Sequence, residues 1–494
     1  MKISLNKANK ESLKTIDAIA LNLFVKKGGK PLDTESFGQL DKPIQDALRE
    51  FVNQGKYKAG DTKILFLPNK NIILNFTDRD SWNMRSLRIA IRKITQFVKQ
   101  NRFRSMGMFF SDFLVKEVRE KEIARNLSEN ILMAHFDFSE IYKEKPLEGW
   151  NEIKEVKIFG SSKALEEGIK EGLIIGEEVN GARLLSNSPA GDMTPEDLAK
   201  SAVKEGRKAG FSVKVFDEKK MKTLGMGGIL GVGKGSEAKP RFIIMEYRGG
   251  KKTDKPLVLI GKGVTFDTGG INLKSTDGLS EMHMDMSGGA SVIHALSAIS
   301  RLKLKINVTG LVPAAENMAS GSSYRPGDIL KTYSGKTIEI ANTDAEGRVI
   351  LADALGYAKT LNPSLIVDFA TLTGAALIAL GQRASAIFSK DDNLIETLRE
   401  VGEKSGDYVW PLPMWDEYEG DVKGIFGDVS NIGKSGRYGG AISGAMFLWQ
   451  FAKPNLWAHV DIAPTMTSID GQFLSKGAAG PGVRLMVELA KSWK

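Results

Sequence analysis

Short apolar runs recur along the second half of the chain, each ending in a polar or glycine-rich turn and followed by a stretch with helical spacing. Leu257 to Ile260 is apolar throughout, and Leu365 to Ala370 has one polar residue, Asp368. A strand exposed to water on one face alternates apolar and polar residues, so runs of this kind belong to strands covered on both faces. With Ser212 to Phe216, Phe242 to Tyr247, Ile306 to Leu311 and Thr337 to Asn342, they predict an α/β domain with a mainly parallel sheet flanked by helices. A chain of 494 residues exceeds what one core can fill, since cores stop growing near roughly 250 to 300 residues.

The expected division is a small N-terminal α/β domain over 1–165, a connector over 166–182 and a second, larger α/β domain over 183–494. The connector reading rests on the charged, glycine-interrupted stretch from Lys163 to Glu178. Thr194 followed by Pro195 predicts a capped helix start just inside the second domain.

Composition narrows the chemistry. There is no cysteine, which excludes disulfides, thiolate metal sites and cysteine nucleophiles. Only four histidines are present, none in a His-Glu-x-x-His pattern, so any metal is held mainly by oxygen. No Gly-x-Ser-x-Gly elbow occurs. Two glycine-rich stretches, Gly228 to Gly235 and Gly433 to Ser435, each lack one element of a phosphate loop and read as tight turns. The amino terminus carries no apolar core of signal-peptide length, and the greasiest stretch, Leu365 to Gly381, is interrupted by Asp368 and several Thr and Gly residues. A cytoplasmic protein with no membrane span is expected. The net charge of +9 allows attraction to nucleic acid without requiring it. Arg85 to Arg104 holds seven basic residues and no acidic one, with Arg85, Arg88, Arg92 and Lys99 on one helical face. That face is either a solvated surface or an anion contact, nucleic acid included.

The chemistry concentrates in two clusters. Asn342 to Arg348 puts Asp344, Glu346 and Arg348 where a strand hands over to a helix, and Gly261 to Gly270 presents Lys262 and Asp267 in a glycine-rich loop, with Lys274 soon after. Asp285 precedes an apolar helix and is either its cap or part of the same site. Carboxylates from several strand ends, converging at one sheet edge, repel each other unless cations neutralise them. Two divalent ions match that charge, and magnesium, manganese and zinc all accept such ligands. A lysine there is a salt-bridge partner or, with its pKa depressed, a ligand.

Asn342-Thr343-Asp344-Ala345-Glu346-Gly347-Arg348 and Gly261-Lys262-Gly263-Val264-Thr265-Phe266-Asp267-Thr268-Gly269-Gly270 resemble the signature of the leucyl aminopeptidase family, also called cytosol aminopeptidases. Further co-linear matches are Asp368 to Ala375, Trp457 to Ala463 and Lys476 to Arg484. The resemblance implies a metal-dependent aminopeptidase that releases leucine and other apolar residues from peptide N-termini. It assigns Lys262, Asp267, Asp285 and Glu346 to one metal, and Asp267, Asp344 and Glu346 to the other, the ions being manganese or zinc. It makes Lys274 and Arg348 catalytic, Lys274 for the oxyanion and Arg348 as holder of a bicarbonate that relays protons. Met282, Asn342, Thr371, Leu372 and Gly374 match positions lining the pocket for the first side chain. The family also implies a homo-hexamer. Ser275, His283 and Gly289 depart from the common pattern without removing a ligand.

Overall fold

The computed structural model describes residues 1–25 and 35–493; residues 26–34 of the expected N-terminal domain, and residue 494, lie outside the described residues. The chain divides into two compact units, Met1–Asn180 with Ser468–Lys476, and Gly181–Thr467 with Gly477–Lys494.

The first unit is built on a six-stranded sheet in the order Lys2–Asn6, Glu155–Phe159, Ser105–Phe109, Ala18–Val25, Lys70–Asp78, Thr62–Leu67. All neighbours are parallel except the last pair. The helix Met84–Gln100 starts on a capping box, in which Asn83 accepts from the backbone of Ser86 and Ser86 answers to the backbone of Asn83. Most of its basic stripe is covered: Arg85 is exposed, but Arg88, Arg92 and Lys99 are buried. Arg88 and Arg92 are 3% and 6% exposed, and their Nε atoms donate to Asn126 and Asn130 of the helix Glu120–His135 at 2.8 and 2.7 Å. Lys99 reaches the His135 carbonyl and Glu140. Helical spacing marks a face but not what covers it. Here a second helix supplies amide acceptors at matching four-residue intervals, so the long cationic side chains are buried and satisfied.

The stretch 166–182, expected as a connector, lies within one helix, Lys163–Asn187. Its glycines at 168, 172 and 176 recur every fourth residue, where the helix Glu120–His135 comes close. A Cβ on Gly168 would lie 2.3 Å from the Lys121 carbonyl oxygen, and one on Gly172 2.2 Å from that of Arg125. They serve close packing rather than flexibility.

The second unit carries a nine-stranded sheet, running Val409–Pro411, Ser385–Phe388, Trp457–Asp461, Leu365–Ala370, Leu257–Gly261, Asn307–Asn317, Arg241–Arg248, Ser212–Phe216, with Gly263–Asp267 joining Asn307–Asn317. The centre is parallel, as expected, and antiparallel pairs occur towards both edges. Every residue of Leu257–Gly261, Leu365–Ala370 and Trp457–Asp461 is buried. Successive strand residues point to opposite faces, so both faces are covered. Buried polar contacts tie the middle together: Asp368 accepts from Trp457 Nε1 at 2.8 Å and lies 2.5 Å from His459 Nδ1, across the register Asp368 to His459.

Two expectations need correction. Thr337–Glu339 belongs not to this sheet but to a separate three-stranded one with Ile329–Lys331 and Val429–Ser430, so the acidic turn after it is not an edge of the main sheet. Gly228 to Gly235 is no tight turn either; it lies in the short helix Gly227–Val232 and the 3-10 turn Gly233–Gly235. Among the described residues no helix is long and apolar enough to cross a membrane.

Candidate active site

Four segments of the second unit bring the predicted residues together. Lys262 lies between two strands, with its backbone N–H donating to the Phe369 carbonyl and its carbonyl accepting from Gly289, which pins it over the parallel centre of the sheet. Asp267 ends the strand Gly263–Asp267. The chain then turns through Gly269 and Gly270, both at positive φ, a conformation open to glycine at little cost. The turn returns Lys274, whose N–H donates to the Thr268 carbonyl. Asp285 follows the 3-10 turn Met282–Met284 and does not cap the helix Ser287–Arg301. Glu346 and Arg348 stand in the first turn of the helix Glu346–Lys359, with Asp344 just before it.

Asp267, Asp344 and Glu346 each offer one carboxylate oxygen within 4.8 Å of the others, an arrangement able to hold a metal ion. Asp285 joins them through Lys262, whose Nζ lies 2.8 Å from Asp285 Oδ2, 2.7 Å from Glu346 Oε1 and 2.9 Å from the Thr371 carbonyl. Lys274 Nζ is 2.8 Å from Asp267 Oδ2 and also pairs with Asp344. A Cβ on residue 347 would meet Lys262 Nζ at 2.7 Å, so glycine between Glu346 and Arg348 is what lets the lysine in.

Like charges at this density share their protons unevenly. Burial pulls the Lys262 pKa down, but Asp285, Glu346 and Asp267 outweigh it and hold the ammonium above its ordinary value, which makes it a counter-ion in this arrangement. Burial and the Glu346 charge push Asp267 up to about 6 against the pull of Lys274 and Lys262. Burial raises Asp285 well above the usual carboxylate range, and it raises Asp344 too. Burial also works against Glu346, yet Lys262 and Lys274 lower it overall, so it stays ionised at the centre of the group. Arg348 is buried, which pulls it down to about 10. Its Nη1 donates to the Asn431 carbonyl at 3.0 Å, while its Nε meets no acceptor.

The expected substrate side is less tightly gathered. The Thr371 hydroxyl donates to Asp285 Oδ1 at 2.7 Å, and Leu372 N–H donates to Asp461 Oδ1 at 3.1 Å. Gly374 is exposed at the start of the helix Gly374–Leu380, and Met282 is half-buried in the turn before Asp285. Asn342 accepts from Asp344 N–H at 2.8 Å, so its Oδ1 shapes the acidic turn.

A model of the cytosol aminopeptidase family catalytic domain matches residues 180–487. The chain belongs to the cytosol aminopeptidase family. A probable cytosol aminopeptidase of Chlorobaculum tepidum is 45% identical over 77% of this chain and 78% of its own length. One of Bdellovibrio bacteriovorus is 37% identical over 99% of this chain and all of its own length. Among solved structures, the bottromycin maturation enzyme BotP in complex with Mn is 30% identical with a TM-score of 0.83, covering 97% of this chain and 99% of that one. A tomato leucine aminopeptidase mutant is 29% identical with a TM-score of 0.86, covering 99% and 96%. As a family member the chain is a metallo-aminopeptidase.

Several residues around this candidate site were not singled out from sequence. Asn431, fully buried, accepts from Ala341 N–H at 2.8 Å and donates to the Asn342 carbonyl at 2.6 Å, besides taking Arg348 on its own carbonyl. Asp461 accepts from Leu372 N–H and the Thr373 hydroxyl. Asn317 donates to Asp267. An isolated asparagine carries no periodicity and no motif of its own; only the pairing of distant strands brings it to a carboxylate.

Proposed function

We propose that this chain releases N-terminal amino acids, leucine and other apolar residues preferred, from peptides by a two-metal hydrolytic reaction. The observation that carries the reading is the group Asp267, Asp344 and Glu346 within 4.8 Å, flanked by buried Lys262 and Asp285. An oxygen-rich, buried and like-charged donor set of this kind fits divalent ions, manganese or zinc in kind. Lys262, Asp267, Asp285 and Glu346 would hold one ion, and Asp267, Asp344 and Glu346 the other. Bound there, two such ions would polarise a peptide carbonyl and bring the pKa of water towards neutrality.

The other residues divide the remaining work. Lys274, held by Asp267 and Asp344 beside the cluster, supplies fixed positive charge for the oxyanion that forms when the carbonyl is attacked. Arg348 offers a buried Nε with no acceptor, which suits a small anion such as bicarbonate in the proton relay. Met282, Asn342, Thr371, Leu372 and Gly374 line the pocket for the first side chain. A homo-hexamer acting in the cytoplasm completes the reading.

The test is hydrolysis of a panel of aminoacyl anilides by metal-stripped protein, with and without added manganese. Manganese-dependent release, fastest for leucine, is expected. No turnover by the reloaded protein would overturn the reading, and activity indifferent to metal removal would overturn the two-metal part.

A further inference from the structure

Asn317 ends the strand Asn307–Asn317 directly across from Asp267 in the parallel pairing with Gly263–Asp267. It is fully buried. Its Nδ2 has two hydrogens, and both are used: one on Asp267 Oδ1 at 2.8 Å, the other on the Thr343 carbonyl at 3.0 Å. A single amide therefore joins a carboxylate from the main sheet to the peptide unit immediately before Asp344.

Both ends of that bridge are reinforced. Asp267 Oδ1 also accepts from Gly269 N–H at 2.8 Å, so this oxygen is engaged twice, while Oδ2 lies with Lys274. The Thr343 carbonyl takes a second donor, the buried Tyr324 hydroxyl, at 2.7 Å. The Thr343 hydroxyl donates to the Gly269 carbonyl at 2.6 Å, and Thr343 N–H donates to Asn272 Oδ1 at 2.9 Å.

A free carboxylate turns broadly about its last torsion, so its plane is not fixed. Two donors on Oδ1 remove that freedom and leave Oδ2 to face the charged group. The choice of residue matters electrostatically. Lysine or arginine in this place would neutralise part of the negative charge that a cation needs, whereas asparagine orients the carboxylate without adding charge.

We propose that Asn317 is a positioning residue: it fixes the plane of the Asp267 carboxylate, and it holds the two arms of the site at the spacing a divalent ion requires. This inference rests on the metal-binding reading of the same carboxylates. Outer partners of this kind are typically worth about 10- to 100-fold in metal affinity.

The test is calorimetric titration of Mn2+ into metal-stripped protein, with thermal melting in parallel. Asn307→Ala is the control. Asn307 is buried at the far end of the same strand and donates to the Lys251 and Asp254 carbonyls at 2.7 and 3.0 Å, remote from the carboxylates in the pairing. Asn317→Ala is expected to weaken Mn2+ binding by about 10- to 100-fold, while Asn307→Ala lowers the melting temperature and leaves Mn2+ affinity at the wild-type value. Asn317→Ser, which keeps one short donor, gives the same comparison if the alanine variant does not fold, and is expected to weaken binding too. Wild-type protein that takes up no Mn2+ overturns the metal reading itself. Wild-type binding matched by the Asn317 variants overturns only the role of Asn317, and so does an equal loss of affinity in Asn307→Ala.

Discussion

Lys262 Nζ lies 2.7 Å from Glu346 Oε1, and both side chains are buried. Removing one member of a buried ion pair leaves the other charge unpaired, at a cost of about 3–5 kcal/mol. Lys262→Met should therefore destabilise the metal-stripped protein by that order, because Asp285 and Glu346 lose the cation between them. Urea unfolding of the stripped wild type and variant measures the difference; an unchanged midpoint would show that the pair contributes nothing.

Lys274 stands apart from Lys262 in exposure, its side chain being 17% exposed against 4%. That is the position of a group able to meet substrate. Replacing it by methionine keeps the stem and removes the charge. The expected effect is a fall in kcat of about 100- to 1000-fold, as for the loss of one oxyanion donor, with KM little changed. A variant in which KM rises and kcat holds would assign Lys274 to binding instead.

The contrast between these two lysines was not legible in the sequence, although both were. Spacing within the glycine-rich loop puts Lys262, Asp267 and Lys274 near one another, and the wholly apolar run Leu257 to Ile260 identifies a central strand. Neither tells which lysine is sealed in, because that depends on Gly347 and Thr371 arriving from elsewhere in the chain. For the same reason the acidic turn could be read as a candidate site while its strand was assigned to the wrong sheet. Thr337 to Ala341 has the alternation of a strand, and alternation carries no information about the partner strand. Asn317 and Asn431 were invisible, since their significance lies wholly in whom they face.

His135 provides a pH-dependent term in the first unit. Burial, helped by Lys99 and the N-terminal charge, pulls its pKa down to about 4, and its Nε2 accepts from Ile153 N–H at 3.1 Å. The unfolded chain, with a histidine pKa near 6.5, binds this proton more readily than the folded one, so the contribution to stability is complete above about pH 6.5 and is lost as the pH falls towards 4. Melting temperatures of wild type and His135→Gln across that range should diverge at the neutral end and draw together at the acid end. Parallel curves would contradict the assignment.

Arg92 is expected to matter for folding and not for nucleic acid. Arg92→Ala strands the buried Asn130 carbonyl oxygen of the side chain, a loss of about 1–3 kcal/mol. Denaturant unfolding should register that cost. Binding to duplex DNA, followed over a range of salt concentrations, should be the same for wild type and variant; a variant with normal stability and a lowered salt slope would restore the nucleic-acid reading.

The carboxylates are matched by ammonium groups from the same chain: Lys262 lies between Asp285 and Glu346, and Lys274 between Asp267 and Asp344. The acidic group thus arrives in the folded state already half compensated. An ion entering this group would compete with the lysine protons for the same carboxylate oxygens. Its uptake would then depend on pH as well as on the supply of free metal.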